Sequence, residues 1–123
     1  MLKPTAMSRI ARVLIHVSEL RRVPVDPKDV YFLEAVGDHT LVRLRSKRRL
    51  RDLRALGSLL KQFAPYGFVR VHRNHAVNLA RIQEIRQRKG REGWEMLESP
   101  VNRVLPVSQG QIGNLLKAFG EGK

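Results

Sequence analysis

Residues 40–46, TLVRLRS, alternate without a break: Val42 and Leu44 fall on one side, Leu41, Arg43 and Arg45 on the other. A period of two means a strand with one face in a core and one face wet and basic. A strand cannot satisfy its backbone alone, so the rest of the chain must supply a sheet around it. Candidate partners are short. RVLIHV (12–17) and LRRVPV (20–25) flank Ser18-Glu19 and predict a hairpin, and VYFLEA (30–35) precedes the turn signal Gly37-Asp38. FVRV (68–71) and AVNLARIQEIRQ (76–87) read as strand, RKGREG (88–93) as a turn, and WEMLES and RVLPVS flank the turn signal Pro100-Val101-Asn102. The period changes over residues 49–64, where Leu53, Leu56, Leu59, Leu60 and Phe63 fall at helical spacing before Pro65. IGNLLKAF (112–119) predicts a short closing helix. The expected fold is mainly β: several short antiparallel sheets, one central amphipathic helix and a short C-terminal helix.

Charge narrows what such a fold does. Lys and Arg number 24 against 11 acids, a net charge of +13 in 123 residues. Charge this far from zero repels itself, and nucleic acid is the commonest reason a small basic domain tolerates it. Acidic membranes and a merely solubilising surface are the alternatives. The distribution favours a partner: Arg43, Arg45, Lys47, Arg48, Arg49, Arg51 and Arg54 crowd together with Asp52 as the only acid between them. Arginine's planar fork suits phosphates and guanine edges. No apolar run approaches the length of a bilayer crossing, and no signal peptide is read at the N-terminus. Cysteine is absent, which removes disulfides, thiolate metal sites and thiol nucleophiles together and fits a reducing cytosol.

The stretch FVRVHRNHAVNLARIQEI (68–85) sets a knot of donors, His72 to His75, inside an apolar run. A metal site, a catalytic cluster and a surface for an acidic polymer all fit donors in general. H-x-x-H in an extended segment sends its two imidazoles to opposite faces, and no third ligand is obvious. No Walker-type phosphate loop, no G-x-S-x-G elbow and no paired carboxylates occur, so neither enzyme activity, a cofactor nor a metal is expected. His72 is expected to orient the loop through a backbone hydrogen bond, Asn78 to serve a turn or ladder, and Phe68 and Trp94 to pack in the core.

Taken in order, PVDPKDVYFLEAVGDHTLVRL, a helix, FVRVHRNHAVNLARIQEI and LPVSQGQIGNLLK resemble the LytTR domain of bacterial transcription regulators over residues 12–119, nearly the whole chain. The resemblance implies an almost all-β fold and sequence-specific binding of duplex DNA, with loops rather than a recognition helix entering major grooves. It implies base reading by His39 from one loop, by Arg73 and Asn74 from a second, and by Gln109, beside Ser108, from a third. The family often has arginine at the position of Gln109; glutamine prefers adenine N6/N7 where arginine prefers guanine. Phosphate contacts are expected from Arg43, Arg45, Lys47, Arg48, Arg70, His75 and Ser108.

The expected organisation is an arm or linker stub over 1–11, the DNA-binding domain over 12–120 and a tail over 121–123. The expected partner is double-stranded DNA in the cytoplasm, with no membrane, bound by two copies on direct repeats that are monomeric without DNA. The resemblance also implies a sensory or receiver domain upstream. The competing expectation is a basic adaptor for RNA or acidic proteins without sequence preference. The chain has seven aromatics, mostly at apolar positions, which ranks RNA below DNA.

Overall fold

The computed structural model describes residues 12–88, 93–98 and 103–121. The first hairpin joins β1 (Val13–His16) to β2 (Arg22–Val25), with Val13 opposite Val25 and Ile15 opposite Val23. Val13, Ile15 and Val25 turn inward while Leu14 and Pro24 face out, which is the alternation a one-sided ribbon requires. The Asp26 carboxylate accepts from Lys28 N at 2.9 Å and caps the 3-10 turn Pro27–Asp29.

Next come β3 (Val30–Val36), β4 (His39–Leu44) and β5 (Arg49–Asp52), then α1 (Leu56–Phe63), β6 (Phe68–His72) and β7 (His75–Asn78). These strands form a five-stranded antiparallel sheet in the order β5-β4-β3-β7-β6. Thr40, Val42 and Leu44 are buried while Leu41 and Arg43 are half-buried, so β4 keeps the alternation its sequence announces. On β3, Phe32 and Leu33 are both fully buried, in different cores. Neighbouring residues on a strand face opposite ways, so the unbroken apolar run of β3 marks a strand covered on both sides. One core joins Leu33 and Val42 to the first hairpin and to Leu59 and Phe63 of α1. The other joins Phe32, Val71 and Val77 to Met96, Leu105 and Leu115. This second cover consists of β8 (Ile82–Gln87), β9 (Trp94–Glu98) and β10 (Arg103–Val107), a three-stranded sheet, with α2 (Gln109–Ala118). Phe68 is buried against Phe63 and Trp94 packs on the second core, as expected of them.

The sequence misleads at residues 49–64. The helix starts only at Leu56, and Arg49–Asp52 is a strand that pairs with β4, Arg49 opposite Arg43 and Asp52 opposite Thr40. Leu53 is 36% exposed and belongs to neither core. Tertiary pairing decides against the helix: Asp52 is wholly buried, where its carboxylate accepts from His16 N (2.9 Å), Arg54 N (2.8 Å) and Arg54 Nε and Nη2 (3.0 and 2.9 Å). Residues 76–87 likewise divide. Asn78 Oδ1 accepts from Ala80 N at 3.0 Å while its amide donates to the Val30 carbonyl at 3.0 Å. That cap starts a 3-10 turn, Leu79–Arg81, which carries the chain from the central sheet into β8 of the other sheet. Most of the turn expected at 88–93, and all of Pro100-Val101-Asn102, lies outside the described residues.

Candidate nucleic-acid interface

Three connections meet at one end of the central sheet. The first is the β3–β4 turn: Val36 pairs with His39, leaving Gly37-Asp38 as the two turn residues. Gly37 sits at φ 62°, a left-handed conformation that glycine adopts without strain. His39 is half-buried as the first residue of β4.

The second is the β6–β7 turn, where His72 pairs with His75 and leaves Arg73-Asn74 exposed at the tip. This tip is braced from behind. Asn74 O accepts from Ala35 N at 2.8 Å, which fixes the turn beside the β3–β4 hairpin. His72 Nδ1 accepts from Asn74 N at 3.2 Å, as expected of His72. The Arg70 guanidinium donates to the His72 carbonyl at 3.3 Å and to the Arg73 carbonyl.

The third connection starts α2. Ser108 N donates to the Val71 carbonyl at 2.7 Å, so the helix begins against β6. The Ser108 carbonyl accepts from Gln111 N and Ile112 N at 2.9 and 3.1 Å, and its hydroxyl makes no capping bond. Gln109 is exposed on the first turn, and Leu115, fully buried, anchors the helix. With strands about 4.8 Å apart, the first two turns sit about 10 Å from each other, with Ser108 next in the row.

His39, Arg73, Asn74, Ser108 and Gln109 are thus brought together. Other expected contacts are not. His75 is 9% exposed, its Nε2 is 3.4 Å from Glu34 Oε2, and its ring meets Phe32 edge-on. A side chain turned into the sheet in this way supports the turn from beneath. Arg70 donates from Nε and Nη2 to the carbonyls of the turn, which sets it as a brace behind the tip. Its signal lay in the alternation of Phe68, Arg70 and His72, which says side-by-side but not toward what. Arg43 is the next-to-last residue of β4, and Arg45, Lys47 and Arg48 belong to the β4–β5 turn, all at the opposite end of the sheet.

The two histidines also differ from expectation. A two-residue turn intervenes between them, so His72 and His75 oppose each other across the hairpin with ring centroids 5.9 Å apart. Among the described residues no group of three or more His, Cys, Asp or Glu is placed to hold a metal ion.

The three connections form a row of loops along one end of the central sheet. The family model of the LytTr DNA-binding domain matches residues 21–120. The chain belongs to the LytTr DNA-binding domain family. The CO-responsive transcriptional regulator RcoM of Rhodospirillum rubrum is 30% identical over 105 residues, 78% of this chain. The chain spans 44% of that relative's length. The structure of the LytTr DNA-binding domain of a methyl-accepting/DNA response regulator from Bacillus cereus superposes with a TM-score of 0.72 at 22% identity, covering 89% of this chain and 97% of that one. The shared fold is the mainly-β LytTr arrangement of antiparallel sheets with two helices. As a member of this family the chain is a DNA-binding domain, and among its described residues no helix is long and apolar enough to cross a membrane.

Proposed function

We propose that this LytTr domain reads duplex DNA sequence-specifically, with its row of loops entering the major groove. The observation that carries the reading is the β6–β7 tip: Arg73 and Asn74 are exposed while hydrogen bonds from Arg70, Ala35 and to His72 hold their backbone. A pre-ordered tip loses little entropy on binding, and an arginine there presents two parallel donors to a guanine edge. Asn74 and Gln109 suit adenine, His39 reaches from the neighbouring turn, and the Ser108 hydroxyl, which makes no capping bond, belongs to the phosphate side. The domain works in the cytoplasm as a monomer that occupies direct repeats in pairs, as the output part of a longer regulator.

Selecting bound sequences from a random duplex pool tests the reading. Enrichment of a defined site is expected. Arg73→Ala then costs about 1–3 kcal/mol on that site and much less on random DNA. Equal losses on both demote Arg73 to a backbone contact. A pool that yields no site, with affinity that only tracks salt, returns the protein to a basic adaptor without sequence preference.

A further inference from the structure

The strongest basic feature of the molecule is not in the loop row. β4 and β5 are joined by Arg45-Ser46-Lys47-Arg48, and Ser46 and Lys47 hold φ of 61° and 60°. A tight hairpin with both central residues left-handed matches the twist of its strands, but asparagine and glycine are the residues that suit it. Here a lysine is held in that conformation and presented at the tip. Behind the tip, Arg43 stands directly opposite Arg49, and Arg51 follows two residues along the same face. Like charges directly opposite destabilise a sheet. Among the described residues Arg43, Lys47, Arg48, Arg49 and Arg51 have no ion-pair partner, and the buried Nε of Arg43 has no hydrogen-bond partner. Of the basic residues between 43 and 51, Arg45 is the one that is paired, with Asp29 at 3.3 Å.

β5 is an edge strand, and edge arginines block strand addition. That does not explain Arg43, which lies on an inner strand and faces its like. A row of cations without ion-pair partners suits a phosphate backbone, whose oxygens need only donors and positive charge. Arg49 and Arg51 are about 6.6 Å apart along the strand.

Position decides which DNA. β4 has six residues, so the β4–β5 tip stands about 20 Å behind the loop row. A major groove is about 8.5 Å deep, so its rims reach less than halfway back when loops touch its floor. We propose that the β4–β5 ribbon is a second phosphodiester-binding surface, which holds duplex DNA outside the segment the loops read. It rests on the loop row being the reading edge. The bound backbone belongs either to flanking DNA of the same duplex or to a second duplex.

The test uses the full chain and K47Q/R48Q/R49Q, three exposed positions, with R49Q/R51Q as a second variant should the first fold poorly. Three substrates separate the cases: a selected site on about one helical turn (~10 bp) of DNA, the same site with about one turn of random flank on each side, and a labelled random duplex offered to the site-saturated complex. On the short site the variant should bind within about twofold of the parent, since the ribbon lies outside that segment. A loss of about tenfold on the flanked site, with the salt slope reduced by about 2–3, places flanking DNA on the ribbon. Lost capture of the labelled duplex instead places a second duplex there. Equal losses on the short and flanked sites overturn the proposal, because the residues then serve the reading edge. No loss with any substrate also overturns it and leaves the ribbon to an acidic protein. Arg73→Ala on the same DNAs reports the loops separately. If it leaves site preference intact while the ribbon variant still loses flanked DNA, the reading edge is misassigned and the ribbon stands.

Discussion

Asp52 has its carboxylate wholly buried, and its hydrogen bonds tie β1, β5 and Arg54 together. Burial pushes the carboxyl pKa up, but hydrogen bonds from the Arg54 side chain, Arg54 N and His16 N outweigh it, and the net value lies below the usual 3.8. A depressed carboxylate contributes stability that is present above its unfolded value and lost as pH falls through the folded one. His16 shifts the same way for a different reason: burial first, then Arg54 and Arg22, hold its imidazole below 6.5. Its unfolded form takes the proton first, so its contribution is also lost on acidification, starting below 6.5. Unfolding free energy measured from about pH 7 down to about pH 3 should therefore fall in two steps. His16→Gln flattens the first; an unchanged first step shows that another group sets it. Asp52→Asn should cost about 2–3 kcal/mol at neutral pH, because a buried charge-assisted network loses its anion. A loss below about 0.5 kcal/mol, the scale of ordinary surface changes, means the network is dispensable.

Turns and strands carry the next predictions. If Arg70 braces the β6–β7 tip, Arg70→Lys should not restore what Arg70→Ala loses, because an ammonium lacks the planar fork that spans two carbonyls. Amide exchange at Arg73 and Asn74 should rise in both variants; full DNA affinity in Arg70→Lys would make Arg70 a phosphate contact after all. Replacing Ser46-Lys47 by Asn-Gly relieves two left-handed non-glycine residues and should stabilise the fold by about 1 kcal/mol. A lower melting temperature would show that Lys47 is held by something other than the turn. Leu59→Ala, at a fully buried position of α1, should cost about 2–5 kcal/mol. Elements of this size were legible in part. Alternation announced β4, and the spacing of Leu56, Leu59 and Phe63 announced α1, because both periods follow from local geometry. Residues 49–52 carry both a leucine spacing that continues the helix and a period-two pattern, and only pairing with β4 selects the strand.

At the scale of the whole molecule, +13 governs association. If the reading loops and their flanks neutralise about five phosphates, log K for duplex DNA should fall against log salt with a slope of about −4 to −5. A slope near zero removes electrostatics from the account. The same charge opposes self-association, so analytical ultracentrifugation should show a monomer without DNA and two copies on a double-site duplex. A stable DNA-free dimer at micromolar protein, or preference for an inverted over a direct repeat, contradicts the direct-repeat reading, since inverted sites mirror a two-fold axis.

The order of residues by itself determined the strand-rich class, the turn at Gly37-Asp38, the basic load and the resemblance to LytTr domains, which the family model bears out over residues 21–120. Each of these depends on neighbours along the chain: alternation, turn chemistry and charge are local. Tertiary structure alone decided that Phe32 and Leu33 face different cores, that His72 and His75 oppose each other, and that Asn74 leans on Ala35. It also decided that the basic β4–β5 hairpin stands at the far end of the sheet from the loops of His39 and Arg73. Strand order and register join residues distant in sequence, so no local period encodes which turns share an end of the sheet. His75, a donor in a polar knot when read along the chain, became a buried support only once β3 and β7 paired.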